Sequence, residues 1–270
     1  MTPVLPDVGT AAAFERCRAE NRAALVGYLP VGFPDLSTSV RAMEVLVEAG
    51  CDIVEIGIPY SDPLMDGPTI QRAAEAALAG GTRVADVFTA TAAVRAAGAP
   101  PLVMTYWNLV LHQGEDVFAD RLLSAGGAGL ITPDLIPDEA GAWIAASERT
   151  GLDRVFLVAP SSTTERLSVV TAATRGFVYA ASTMGVTGAR ASVGDSAPQL
   201  VERVREVTST PVCVGLGVST GDQAAQVASF ADGVIVGSAF VACLLDRSPA
   251  DGLAALREKV AELADGVRRG

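Results

Sequence analysis

Ile53-Val54-Glu55-Ile56-Gly57-Ile58-Pro59-Tyr60-Ser61-Asp62-Pro63-Leu64-Met65-Asp66-Gly67-Pro68-Thr69-Ile70-Gln71 decides how this chain is folded. Its first residues, Ile53 to Ile58, read as a strand covered on both faces, because the apolar run barely alternates with polar residues. Pro59, Pro63, Gly67 and Pro68 then punctuate a loop too long for a minimal connection, and a helix is expected from near Thr69. Strand, carboxylate-bearing loop and helix make one unit, and the fold follows from how often that unit recurs.

Outward from this segment, apolar or β-branched runs recur at Ala24–Leu29, Leu102–Tyr106, Gly129–Thr132, Val155–Val158, Phe177–Ala180, Val212–Val214 and Gly233–Val236, giving eight candidate strands in all. Between them lie helix-like segments with apolar residues three and four apart, such as Val84-Val87-Phe88-Val94 and Leu200-Val204-Val207. At roughly 150 residues per domain, a chain of 270 allows two modest domains or one large closed architecture. No linker or compositional break interrupts the alternation. The sequence therefore predicts an α/β fold of a single domain over 1–270, an eight-stranded parallel (β/α)8 TIM barrel, with an open doubly wound sheet plus a second domain as the competitor.

The scarce residues exclude much chemistry. There is a single Lys, Lys259, a single His, His112, and four Cys that are far apart in sequence. Zinc spacings are absent, and any Ser-His-Asp site would need His112, which reads as an exposed loop residue. A Lys Schiff base would need Lys259, which lies in an amphipathic pattern of Leu253, Leu256, Val260 and Leu263. The net charge of −11 argues against nucleic-acid binding. The longest apolar stretch, Gly233–Leu245, is shorter than the roughly 20 residues of a membrane helix. Met1–Thr10 lacks a leader pattern, so a cytoplasmic, reduced chain with core cysteines is expected.

Proton transfer is thereby left to carboxylates. Glu55 sits within an apolar strand, where burial should raise its pKa towards neutrality and suit it to general acid and base work, unless an Arg pairs with it across the barrel. Asp62-Pro63 reads equally as turn chemistry, and Asp66-Gly67-Pro68 as a helix cap. Alternatively, Glu55 and Asp66 face each other over one pocket. Tyr106-Trp107-Asn108 either lines an aromatic pocket or plugs the barrel top, and Tyr179 can reach the pocket from an apolar wall. Glycine-bearing loops at Met184–Ala189, Gly215–Ser219 and Gly237–Ala239 each follow a strand, as a phosphate cradle of backbone N–H groups would require.

The stretch Glu55–Gln71 resembles the signature of the tryptophan synthase alpha subunit. Met104-Thr105-Tyr106-Trp107-Asn108, Pro133-Asp134-Leu135, Ala159-Pro160-Ser161, Gly185-Val186-Thr187-Gly188 and Val214–Ser219 match further family motifs in family order. The resemblance implies retro-aldol cleavage of indole-3-glycerol phosphate to indole and glyceraldehyde 3-phosphate. It makes Glu55 and Asp66 the catalytic residues, and Tyr28, Tyr106, Tyr179 and Thr187 substrate-binding. Gly188, Gly217, Gly237 and Ser238 become the phosphate cradle. It also implies no metal and no cofactor on this chain, with pyridoxal phosphate expected only on a beta subunit in an alpha2-beta2 heterotetramer. A stand-alone lyase releasing free indole is the alternative. Thr183, Phe33 and the Asp134-Leu135-Ile136-Pro137 stretch depart from the family pattern.

Overall fold

A computed structural model describes residues 9–181, 196–215 and 217–270. Its strands are β1 (Ala24–Pro30), β2 (Ile53–Gly57), β3 (Pro101–Met104), β4 (Gly129–Ile131), β5 (Asp153–Val155), β6 (Leu157–Val158), β7 (Val178–Ala181), β8 (Val212–Gly215) and β9 (Gly233–Val236). They form one parallel sheet in the order β5-β4-β3-β2-β1-β9-β8-β7-β6. The two ends of that order are consecutive in the chain, so the sheet closes on itself through Phe156. The predicted barrel is the observed one, with its fifth strand in two pieces. β5 pairs with β4 and β6 with β7, and the buried Phe156 is where the chain passes from one neighbour to the other.

Other expected boundaries also move. The third strand stops at Met104, and Trp107–Gln113 is a helix, so His112 is exposed as expected but sits in a last helical turn, not in a loop. The helix after β2 starts at Pro68 with Gly67 at its N-cap and no side-chain cap, so Asp66 is not spent on capping.

Side chains alternate across each strand. Leu25, Val54, Ile56, Val103, Leu130, Val178, Val212, Val214 and Val234 face outward and pack with the surrounding helices. Ala24, Val26, Ile53, Leu102, Ile131, Val155, Cys213 and Ile235 fill the barrel, and Ala13, Phe14 and Cys17 of the helix Ala11–Ala19 join them from below. All four cysteines are buried and free, as the sequence implied. By this alternation Glu55 and Gly57 continue the inward row begun by Ile53, and Tyr28 the row of Ala24 and Val26. Glu55 is thus lifted towards the strand C-terminal ends, above the apolar plug.

At the opposite end, acids at or just before strand starts tie neighbours together. Asp52, just before β2, accepts from the Leu25 N–H of β1 at 2.9 Å. Asp232, just before β9, accepts from the Val212 N–H of β8 at the same distance. Asp153 accepts from the N–H and hydroxyl of Thr10, anchoring the segment that leads into the first helix.

Candidate active site

Both Glu55 side-chain oxygens are buried and find no hydrogen-bond partner among the described residues. Among the described residues, no Arg pairs with it across the barrel. Removal from water disfavours the carboxylate and pushes the Glu55 pKa up to about 8. Tyr28 and Leu102 are its register neighbours on the flanking strands.

Asp66 reaches the same region from the loop after β2. It is half-buried, and burial raises its pKa as well. The charges of Asp66 and Glu55 both disfavour ionisation of Tyr28 and of Tyr179, after burial, which is the main cause in each. The two carboxyls are thus within electrostatic reach of both phenols. Tyr106 joins them: burial first, then the Asp66 charge, raises its pKa. Asp62, by contrast, is exposed and accepts from the adjacent Ser61 hydroxyl at 2.6 Å, which is turn chemistry.

Glycine makes the tyrosine positions possible. A Cβ at position 57 would overlap the Tyr28 hydroxyl and lie 2.6 Å from two atoms of its ring. A Cβ at position 215 would stand 2.7 Å from the Tyr179 hydroxyl. Each ring therefore lies over a missing side chain on the next strand. Gly57→Ala should cost roughly 1–3 kcal/mol and impair substrate cleavage. Adding Tyr28→Phe, which deletes the overlapping oxygen, should recover part of both losses in thermal melts and steady-state assays.

The sequence pointed to Tyr106 as a substrate-binding residue but not to its hold, with Gln71, on the Asp66 loop. The Tyr106 hydroxyl accepts from the N–H of Leu64 at 2.9 Å and of Met65 at 3.2 Å. Gln71 donates its amide to the Asp66 carbonyl at 2.7 Å. Tyr60 lies against Tyr106 with ring centroids 4.7 Å apart. Tyr106, at the end of the third strand, thus supports the Asp66 loop.

Of the expected phosphate cradle, Gly217 follows β8 with φ +69°, a left-handed conformation that favours glycine. Gly237 precedes the short helix Ser238–Leu244. A Cβ at 237 would be 3.3 Å from Cδ1 of Tyr28, so this loop borders the tyrosine wall. Ser238 is buried. Thr187, Gly188 and Thr183 lie outside the described residues. Lys259 takes no part in the pocket: its ammonium donates to the Ser219 carbonyl at 3.1 Å and pairs with Glu262. Glu262 in turn accepts from the Gly221 N–H at 2.9 Å. The only lysine in the sequence thus clamps the loop after β8 from outside the barrel.

Among the described residues, no group of three His, Cys, Asp or Glu is placed to hold a metal ion, and no helix is long and apolar enough to cross a membrane.

Residues 14–268 match the family model described as tryptophan synthase alpha chain. The chain belongs to that family. It is 65% identical over 256 residues to the tryptophan synthase alpha chain of Mycobacterium avium, covering 95% of this chain and 93% of the relative. A solved structure of Mycobacterium tuberculosis tryptophan synthase superposes with a TM-score of 0.92 at 61% identity, covering 97% of this chain and 98% of that one. An alpha chain from Legionella pneumophila, at 30% identity, still gives 0.86, with 96% of each chain covered. As a tryptophan synthase alpha chain the protein is a lyase of tryptophan biosynthesis that cleaves indole-3-glycerol phosphate to indole and glyceraldehyde 3-phosphate.

Proposed function

We propose that Glu55 and Asp66 carry out this cleavage as a pair, Glu55 moving protons and Asp66 stabilising charge. The observation that carries the reading is the buried Glu55 carboxyl, which has no hydrogen-bond partner among the described residues and whose pKa burial raises to about 8, on the strand that leads into the Asp66 loop. Protonated Glu55 gives its proton to C3 of the indole ring, leaving an iminium-like cation whose N–H hydrogen-bonds the Asp66 carboxylate. The Glu55 carboxylate so formed takes the proton of the glycerol hydroxyl next to the breaking bond. That O–H pair becomes the aldehyde π bond, the carbon–carbon bond breaks, and its electrons return to the ring nitrogen system as indole. Glu55 ends protonated, as it began. Protonated indole is itself the electron sink, so the step requires neither a Schiff-base lysine nor a metal.

Tyr28, Tyr106 and Tyr179 wall the indole and orient it. Gly217, Gly237 and Ser238, with Gly188 by resemblance, hold the phosphate through neutral donors, which suits an acidic chain, and Thr187 contacts the substrate by resemblance. We place the chain in the cytoplasm as a single domain over 1–270. It assembles with a beta subunit that receives the indole and carries the pyridoxal phosphate, in an alpha2-beta2 heterotetramer. The relatives' alpha-chain names and the structures of the Mycobacterium tuberculosis tryptophan synthase support that assembly.

The test is indole release from indole-3-glycerol phosphate, with and without a beta subunit. The partner should accelerate the wild-type chain, and Asp66→Asn should lower kcat by about 10²–10³. An unchanged rate in Asp66→Asn would remove this carboxylate from the mechanism.

A further inference from the structure

The loop that bears Asp66 is not held by apolar burial, because Leu64 is 72% exposed. Beside the Tyr60–Tyr106 ring contact its hold is polar, and one support leads away from the pocket. The Leu64 and Met65 amides end on the Tyr106 hydroxyl. Tyr106 is the N-cap residue of the helix Trp107–Gln113. A helix this short is marginal alone, so the direction of its first residues depends on an external anchor. That anchor comes from another loop: both Asp134 carboxylate oxygens accept from the Trp107 N–H, at 3.0 and 3.1 Å. A charged acceptor at a helix N-terminus is favoured by the helix dipole and forms a stronger bond than a neutral one.

We infer that Asp134, in the loop after β4, is a positioning residue for Asp66, acting through the Trp107 N–H and the Tyr106 hydroxyl. The catalytic consequence rests on the role proposed above for Asp66, whereas the mechanical link does not. The charges of Asp66 and Asp134 both disfavour ionisation of the Tyr106 phenol, as expected if it stands between them. Asp134 is exposed and Ile136 beside it is exposed too, so the relay begins at the surface.

Amide hydrogen exchange on the full chain separates the link from its consequence. Tyr106→Phe removes the acceptor and sets the rate expected for released Leu64 and Met65 amides. Asp134→Ala should raise exchange at both amides and at Trp107 about tenfold or more, while Asp134→Asn, whose side-chain oxygen still accepts, should stay near wild type. In steady-state cleavage Asp134→Ala should lower kcat about tenfold, and in an Asp66→Asn background it should lower it no further, the signature of residues acting as one unit. Leu64 and Met65 exchange within twofold of wild type in Asp134→Ala would overturn the relay, whatever the activity. If Asp66→Asn leaves cleavage untouched, the reading of Asp66 fails, and the exchange rates still decide the link. Equal activity losses from Asp134→Ala in both backgrounds would show that Asp134 does not act through Asp66.

Discussion

Glu55→Gln is expected to abolish nearly all cleavage, lowering kcat by roughly 10³-fold or more, because in the proposed mechanism one group supplies both proton transfers and each is typically worth about 10²–10⁴. The amide occupies nearly the same volume, so packing in the barrel is kept, and the variant should be at least as stable as the parent. The sign of the pH dependence follows from the direction of the shift. Burial raises the folded pKa of Glu55 to about 8 from an ordinary 4.5. Between those values the folded state holds a proton that the unfolded state has released. Its contribution to stability is therefore complete below the unfolded pKa and is lost as pH rises to the folded one. Glu55→Gln removes that loss, so the variant should gain on wild type with rising pH, by on the order of a few kcal/mol above pH 8. Denaturant unfolding at pH 5 and pH 9 measures it.

The same direction of shift bears on the order of the proton transfers proposed above. In the proposed mechanism Glu55 starts protonated and gives its proton to the ring, so kcat/KM should fall above about pH 8, and on the acid side it should fall as the Asp66 carboxylate is protonated. A kcat/KM that rises through pH 8 would mean that Glu55 starts as the base and that ring protonation comes from elsewhere. Lysine and histidine are so scarce that few groups would compete for that assignment: Lys259 is pinned to Ser219, and His112 lies on an exposed helix end.

What was legible in the sequence was what depends on local pattern. Continuous apolar runs identified the strands and the outer helices, since strands buried on both faces and helices with a single apolar stripe leave different periods. Glu55 stood out because a carboxyl within such a run has no water to face. Less was legible where the outcome depends on a neighbouring strand. The hand-over at Phe156 arises from pairing with β4 below and β7 above, and neither partner is visible from Asp153–Val158 alone. The overlap of Tyr28 with the empty position at Gly57 depends on the register that sets Tyr28 against Glu55. Gln71 and Asp134 were within quoted motifs, yet their work is done on backbone groups of residues 66 and 107, and no spacing rule encodes those contacts. A signal did exist for the helix at Trp107: the Asp-bearing loop after the next strand offers the acceptor that a short helix start lacks.

At the foot of the barrel Arg22→Met should cost roughly 3–5 kcal/mol, the usual penalty for orphaning one member of a buried ion pair. Arg22 and Asp52 meet through two hydrogen bonds, at 2.6 and 2.8 Å, with both side chains only 7% exposed. The Asp52 carboxylate keeps the guanidinium charged, pushing its pKa further up. After the substitution Asp52 retains the Leu25 N–H and a distant Arg16 at 4.0 Å, too little to offset its burial. For a chain of this size the melting temperature should drop by about 6–20 °C. The remedy that follows is not a second apolar residue, since Leu25 would then lose its acceptor. Asp52→Asn removes the charge but leaves an oxygen for that N–H, so Arg22→Met/Asp52→Asn should recover most of the lost stability. Activity at low temperature should be nearly unchanged in both variants, because the pair lies at the opposite end of the strands from Glu55. A cost below about 1 kcal/mol for Arg22→Met would mean that the pair behaves as an exposed surface bridge, and that Asp52 serves the sheet mainly through its bond to the Leu25 N–H.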